Sequence, residues 1–365
     1  MDFNQYRYTM ISACLAVFIC ITRCELAASQ SSQISMLKNK APFPVGFAID
    51  PAMVKNNALY RQTIIEQVAS LTVANYMKPS RISPQKGVFN FEQADYLIDF
   101  AKQQNKRVHG HTLVWYINTA PEWMKAIKDS TELENVLKNY IATVGNHFKG
   151  KVASWDVVNE AFNNQDGAVR TEVQDNKGKT VLNLGGILGK DYVARMFQYT
   201  HQADPGALLF YNEYGQEGNP KKLESVLNMV ADFKKRKIPI HGLGLQMHIS
   251  ISTSDAGIEN ALQKSADTGL MIHISELDIA INATKKPDFK ATPELIEKQK
   301  EKYKFVVAAY KRIVPVKQQF GITMWGVGDA DSWIPGFCSC SDFPLLFDEK
   351  YKPKISYEGF AEGLK

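Results

Sequence analysis

Three observations predict a (β/α)8 TIM barrel of the α/β class in a single domain. Eight short, apolar, β-rich runs recur along the chain, most intervals between them carry a helical period, and no linker-like stretch interrupts residues 41–365. The runs are PVGFAID (44–50), VASLTVAN (68–75), RVHGHTLVW (107–115), VASWDVVNE (152–160), LLFYNE (208–213), GLGLQMHI (242–249), MIHISELD (271–278) and FGITMWGV (320–327). They are nearly continuously apolar rather than alternating, the pattern of parallel strands covered on both faces. In FEQADYLIDFAKQQN, Phe91, Ala94, Ile98 and Ala101 fall at i, i+3, i+7 and i+10, which predicts a helix. Neither an internal repeat nor an appended module is visible.

Composition excludes several function classes. With 45% hydrophobic and 22% charged residues, the 365-residue chain is an ordinary globular sequence with material for a large core. The net charge of +5 is small for this length and its cations are scattered, so no nucleic-acid partner is expected.

The N-terminus differs from the rest. Arg7 precedes the apolar run Met10–Thr22, and the small residues Ala27, Ala28 and Ser29 follow, which reads as a secretory signal peptide over 1–28 with a short leader over 29–40. The run is too short to cross a bilayer, so no transmembrane segment is expected. A secreted or cell-envelope location follows. Lipid attachment at Cys24 is disfavoured because Arg23 precedes it in place of a small residue. Cys14 and Cys20 also fall in this segment, leaving Cys338 and Cys340 in the mature chain. One residue apart, they read as two loop cysteines, since a disulfide there closes a very tight ring. No zinc-like spacing accompanies them.

A barrel of this kind places its site at the C-terminal ends of the strands, and polar residues are dense there. Strand two ends in Asn75 with Lys78 beyond; strand three carries His111 and Trp115; strand four ends in Asn159 and Glu160; strand five ends in Asn212. Strand six carries Gln246 and His248, strand seven Glu276 and Asp278, and strand eight Trp325 and Asp329. Side chains two apart on a strand share a face, which pairs Gln246 with His248 and Glu276 with Asp278. A carboxylate within MIHISELDIAI must be paired, hydrogen-bonded or functional, because an isolated buried charge is very costly. Two carboxylates on separate strands, among aromatics and amides and without a metal cluster or Gly-rich phosphate loop, suit cleavage of a glycosidic bond without a cofactor. Whether the second carboxylate attacks carbon or activates water depends on a separation that sequence does not give.

Over roughly residues 41–360 the motifs resemble glycoside hydrolase family 10, whose members are chiefly xylanases. HGHTLVW (109–115) resembles the family's third-strand motif, WDVVNEAF (155–162) its acid/base motif and ISELDI (274–279) its nucleophile motif. GLGLQMH, WGVGDADSW and PLLFDEKYKPK follow in the family's order. The resemblance implies a retaining endo-β-1,4-xylanase acting on xylan or a related β-1,4-linked polysaccharide, with Glu160 as acid/base and Glu276 as nucleophile. It further implies that Asn159 bonds the sugar 2-hydroxyl and that His248, backed by Asp278, orients Glu276. Substrate contact is implied for Asn75, Lys78, His111, Trp115, Asn118, Asn212, Tyr214, Gln246, Trp325 and Trp333, whereas Trp123 and Trp155 are assigned to packing. The alternatives are a β-1,4-glucanase or aryl cellobiosidase on the same scaffold, and a non-catalytic glycan-binding barrel.

The sequence departs from the family pattern on one side. In TVANYMKPS (72–80), Ala74 replaces a glutamate that members use to bind the second sugar on the glycone side, and Pro79 replaces a tryptophan. Tyr116 stands where the family has histidine, and Asn118 where glutamine is common. Asn282-Ala283-Thr284 fits a glycosylation acceptor, a short match that is frequent by chance. Nothing in the sequence fixes an oligomeric state.

Overall fold

The computed structural model describes residues 36–117 and 120–365, in a compact unit spanning Leu37–Lys365. The expected signal peptide and Asn118 lie outside the described residues. Packing begins within the expected leader: Leu37 is fully buried and its N–H donates to Gln67 at 3.2 Å.

Among the described residues nine strands form: β1 (Val45–Ile49), β2 (Ser70–Val73), β3 (Arg107–Trp115), β4 (Ser154–Asn159), β5 (Leu208–Glu213), β6 (Gly242–Leu245), β7 (His248–Ser250), β8 (Met271–Ala280) and β9 (Gln319–Met324). Every pairing is parallel; β1 pairs with both β2 and β9, and β6 pairs directly with β8, so eight strands close a barrel with β7 outside the ring. The expected run 242–249 is therefore broken. Met247 takes a left-handed φ of 58°, after which His248 restarts against Asp278 of β8.

The outer layer is α1 (Ala58–Gln67), α2 (Glu92–Gln103), α3 (Ser130–Phe148), α4 (Tyr192–Ala203), α5 (Pro220–Arg236), α6 (Asp255–Asp267), α7 (Pro293–Ile313) and α8 (Ile355–Gly363). Local chemistry sets their starts. Asp129, Asn219, Ser254 and Thr292 each cap a helix by accepting a backbone N–H, and α5 and α7 begin with proline, whose missing N–H costs nothing there. The period in α2 buries Ala94, Leu97, Ile98 and Ala101 against the sheet. Phe91 falls just outside the helix and stacks on His147, with ring centroids 3.8 Å apart.

Alternation on β3 and β4 sorts the two layers. Trp155 is fully buried and meets Phe148 of α3, and its indole lies across Gly110, where a Cβ would stand 2.3 Å from the ring. Its neighbours on β4, Ser154 and Asp156, face inward with His109 and His111 of β3. His109 bonds Ser154 at 2.7 Å and packs its ring against Phe210, His273 and Phe320, which come from three other strands. Arg107 closes the floor with its guanidinium 3.8 Å from the Phe320 ring. Burial pushes His273 well below the usual histidine range, so it is a neutral core residue bonded to Thr323 at 2.9 Å.

One expectation is corrected at the C-terminal end. Cys338 and Cys340 form a disulfide, because Ser339 between them turns left-handed (φ 53°) and brings the Cα atoms to 5.2 Å, inside the normal range for a bridge. Asp329, one of the strand-end polar residues, pairs with Lys354 at 2.7 Å and accepts the Leu345 N–H at 2.9 Å, which ties the last loop to the barrel. The Asn282 side chain is buried and bonded to the Lys286 and Ser341 carbonyls, so the sequon serves a turn.

Gly110→Ala drives a methyl into the Trp155 indole and is expected to cost about 1–3 kcal/mol through overpacking. Urea unfolding followed by tryptophan fluorescence measures this, and an unchanged midpoint refutes the proposed contact.

Candidate active site

Glu160 follows β4 in a left-handed conformation, φ 58°, a strained state for glutamate that its surroundings impose. Its N–H donates to the Asn212 carbonyl at 3.0 Å and its own carbonyl accepts Arg170 Nε at 2.9 Å. The carboxyl points into the barrel mouth, where Gln246 Nε2 donates to Oε1 at 3.0 Å and Asn159 Nδ2 at 3.2 Å.

Amide side chains connect this carboxyl to the second one. Gln246 Nε2 and Asn212 Nδ2 both donate to Asn159 Oδ1, at 3.2 and 2.9 Å, and Asn212 Nδ2 donates on to Glu276 Oε1 at 2.7 Å. Ser275 fills the remaining side of Asn212, donating to its Oδ1 at 2.6 Å. The other oxygen of Glu276 meets His248 Nε2 at 3.3 Å, and His248 Nδ1 meets Asp278 Oδ2 at 2.8 Å. Trp333 Nε1 donates to that same Asp278 oxygen at 2.8 Å.

The two carboxyls sit in opposed electrostatic settings. Burial raises the Glu160 pKa above the ordinary glutamate value, and the facing charges of Glu213 and Glu276 add to it, against the opposing Gln246 bond and Lys222. Burial also acts to raise Glu276, but the His111 charge and then the bond and charge of His248 outweigh it, leaving its pKa below the ordinary value. His248 is driven the other way. Burial would lower it, yet Asp278 and then Glu276 push it up to about 10, so it is an imidazolium at neutral pH. Asp156, bonded to His111 at 2.9 Å and 3.0 Å from His109 Nε2, is held well below the carboxylate range by these two histidines despite its burial.

The remaining expected residues surround this centre. Lys78 donates to Asn75 Oδ1 at 3.0 Å and places its ammonium 4.8 Å from the Trp115 ring and 5.9 Å from that of Trp325; burial lowers its pKa to about 8, against the pull of Glu276 and Glu160. Trp325 stands 5.1 Å from the His111 ring and Trp333 stands 5.0 Å from that of His248. Tyr214 lies further out, its hydroxyl taken by Asn164 and Arg170 and its ring covered by the Lys222 ammonium at 3.3 Å. Trp123 bonds the Ser83 carbonyl at 3.0 Å, in keeping with its assignment to packing.

Sequence reasoning missed the layer beneath Glu160. Glu213 and Lys222 are both fully buried and pair at 2.8 Å; Tyr211 donates to Glu213 Oε2 at 2.7 Å while accepting the Ala161 N–H at 2.9 Å. The Phe162 N–H reaches Glu213 at 3.3 Å, so Tyr211 and Glu213 together grip the two residues that follow Glu160. A charged residue after Asn212 in an apolar run was the available signal for Glu213. Lys222 and Arg170 carried none, because their partners are distant in sequence. Asp156 was visible as an acid inside VASWDVVNE.

Glu213→Gln removes a negative charge and leaves Lys222 facing Glu160 alone, so the Glu160 pKa is expected to fall. Unpairing the buried ammonium also destabilises the fold by about 3–5 kcal/mol, which the double variant Glu213→Gln/Lys222→Met avoids. A carboxyl ¹³C NMR titration reads the shift directly; a Glu160 midpoint unmoved in the folded single variant contradicts the assignment.

The chain matches Glycosyl hydrolase family 10 over residues 34–363. It is 36% identical over 359 residues to endo-beta-1,4-xylanase Xyn10C of Cellvibrio japonicus, a match covering 92% of this chain and 58% of that protein, so the chain spans little more than half of that relative. It is 34% identical over 331 residues to an endo-1,4-beta-xylanase of Geobacillus stearothermophilus, covering 86% of this chain and 94% of that one. A mutant of xylanase10C from Cellvibrio japonicus, solved in complex with xylopentaose, superposes with a TM-score of 0.82 at 34% identity, over 92% of this chain and 70% of that one. With the closed parallel barrel and the carboxyl pair at its mouth, this match over nearly the whole described chain shows that the protein belongs to glycosyl hydrolase family 10.

Proposed function

We propose that the protein is a retaining endo-β-1,4-xylanase. The observation that carries this reading is the opposed setting of Glu160 and Glu276: two buried carboxyls joined through Asn159, Asn212 and Gln246, one raised and one lowered in pKa. The xylanase names of the relatives and the xylopentaose complex of the structural neighbour support the substrate class.

The charge states assign the steps. Ionised Glu276 attacks the anomeric carbon while protonated Glu160 gives its proton to the departing glycosidic oxygen, forming an ester and breaking the glycosidic bond. Esterification removes the negative charge of Glu276, which is one of the causes that raise Glu160, so Glu160 then ionises more readily. It takes a proton from water, the hydroxide oxygen bonds to the anomeric carbon, and Glu276 leaves as carboxylate. Asn159 bonds the sugar 2-hydroxyl, and the His248 imidazolium steadies Glu276 before attack and after release. Lys78, His111 and the walls of Trp115, Trp325 and Trp333 complete the sugar-binding pocket.

Activity requires Glu276 charged and Glu160 protonated. The acid limb of kcat/KM is therefore expected below the ordinary glutamate pKa and the alkaline limb above it. Glu160→Ala is expected to lose on the order of 10²–10⁴-fold on xylan and much less on aryl xylobiosides whose leaving group needs no proton; equal losses on both contradict the acid role. Initial rates on xylan, glucuronoxylan and soluble cellulose decide the substrate class, with faster cellulose hydrolysis overturning the xylanase reading.

Ala74 lies half-buried in the turn after β2, beside Asn75 and Lys78. The glycone side is accordingly altered in preference, and Ala74→Glu is expected to shift xylohexaose products toward a longer glycone fragment. An unchanged product profile removes the basis for that claim. Such an enzyme works where its polymer is, outside the cell, and a mature N-terminus near Ser29 in secreted protein tests export.

A further inference from the structure

Beyond the wall formed by Trp333, the cleft carries a feature that the hydrolytic chemistry does not use. Phe337, half exposed, lies 5.0 Å from the Trp333 ring, which in turn lies 5.0 Å from His248. Two ammonium groups converge on Phe337: Lys177 Nζ at 4.9 Å and Lys285 Nζ at 5.6 Å from its centroid. The three residues come from loops after three different strands, β4, β8 and β9.

Both lysines stand on built turns. Asp175 accepts the Lys177 and Lys179 N–H groups at 2.9 Å each, with Gly178 at φ 74° between them. Lys285, itself at φ 53°, donates its N–H to the Asn282 carbonyl at 2.9 Å, and buried Asn282 accepts the Lys286 N–H at 3.0 Å. The Phe337 segment is closed by the Cys338–Cys340 disulfide.

The neighbouring carboxylates are committed elsewhere. Glu172 pairs with Arg170, Asp278 with His248, and Asp342 with backbone N–H groups of Ile281 and Asn282. Among the described residues no ion pair forms to Lys177 or Lys285, Asp288 of the same β8 loop included. The phenyl ring attracts each ammonium group. An anion bound by both would be held far more strongly.

We propose that Lys177, Lys285 and Phe337 form a subsite for a carboxylate-bearing sugar substituent, a uronic acid branching from the xylan backbone as it leaves the catalytic cleft. The inference rests on the xylanase reading and specifies which xylan is preferred. Phe337 packs against the branch sugar, and the two lysines hold its carboxylate.

The test compares kcat/KM on a xylo-oligosaccharide carrying one uronic acid with that on the unsubstituted oligosaccharide of equal length, at low and high salt. In the parent the acidic substrate is expected to lead at low salt and to lose its lead as salt screens exposed charges. Lys177→Gln/Lys285→Gln, substitutions at exposed positions, is expected to lower the acidic-to-neutral ratio about fivefold, the order two exposed ion pairs contribute, with the neutral rate unchanged. A ratio unchanged by the double variant overturns the subsite, as does an equal loss on both substrates. Loss of both rates in Phe337→Ala, with none in the lysine variant, assigns the ring to plain sugar stacking and also overturns it. If the parent cleaves neither substrate, the xylanase reading falls and this inference with it.

Discussion

Glu276 must keep its charge inside β8, a strand buried on both faces, and much of the barrel's interior serves that requirement. An isolated carboxylate there would be neutralised by its surroundings. Asn212 and His248 hold its two oxygens, and His111 lies 4.0 Å away. Each supporter is supported in turn: Asp278 holds His248, Trp333 holds Asp278, Asp156 holds His111, and His109 links Asp156 to Ser154 in the middle of the barrel. A line of polar contacts thus runs from the cleft into what would otherwise be an apolar core. Polar networks of this kind are tolerable only when nearly every member is satisfied.

Glu160 has the opposite requirement, and a different part of the chain meets it. Its left-handed backbone is locked by Asn212 below and Arg170 above, while Tyr211 and the Lys222-paired Glu213 grip the residues that follow it. Burial and the Glu213 charge favour the protonated carboxyl, and Lys222 moderates that effect. The two carboxyls are joined through the amides of Asn159, Asn212 and Gln246, yet beyond burial, which acts to raise both, different charges dominate: Glu213 and Glu276 raise Glu160, whereas His111 and His248 lower Glu276. That difference leaves one carboxyl raised and the other lowered in pKa within a single cleft.

The departures from the family pattern bear on the rim more than on the centre. The Arg170 guanidinium that holds the Glu160 carbonyl also lies 4.5 Å from the Tyr116 ring, so this tyrosine packs against the loop behind Glu160. Ala74 leaves a turn where the family has a carboxylate, and Pro79 starts a short helix directly after Lys78. On the opposite side of the mouth the cysteine pair and the left-handed Ser339 fix the segment that carries Trp333 and Phe337. The contacts of Glu160 and Glu276 lie inside this rim.

The sequence by itself determined the barrel, the strand ends and the identity of the carboxyl pair, because these rest on periodic burial and on motifs contiguous in the chain. Glu160, Glu276, His248, Asp278, Asn159 and Gln246 were all legible there, and the structure brings them together. Only tertiary structure decided the rest. The break at Met247, the disulfide across Ser339 and the commitment of Asp329 to Lys354 each depend on a backbone turn or on a partner far along the chain. So does the charge difference between the carboxyls. It arises from His111, His248 and Glu213, residues of other strands, and proximity in folded space is a quantity that no local pattern encodes.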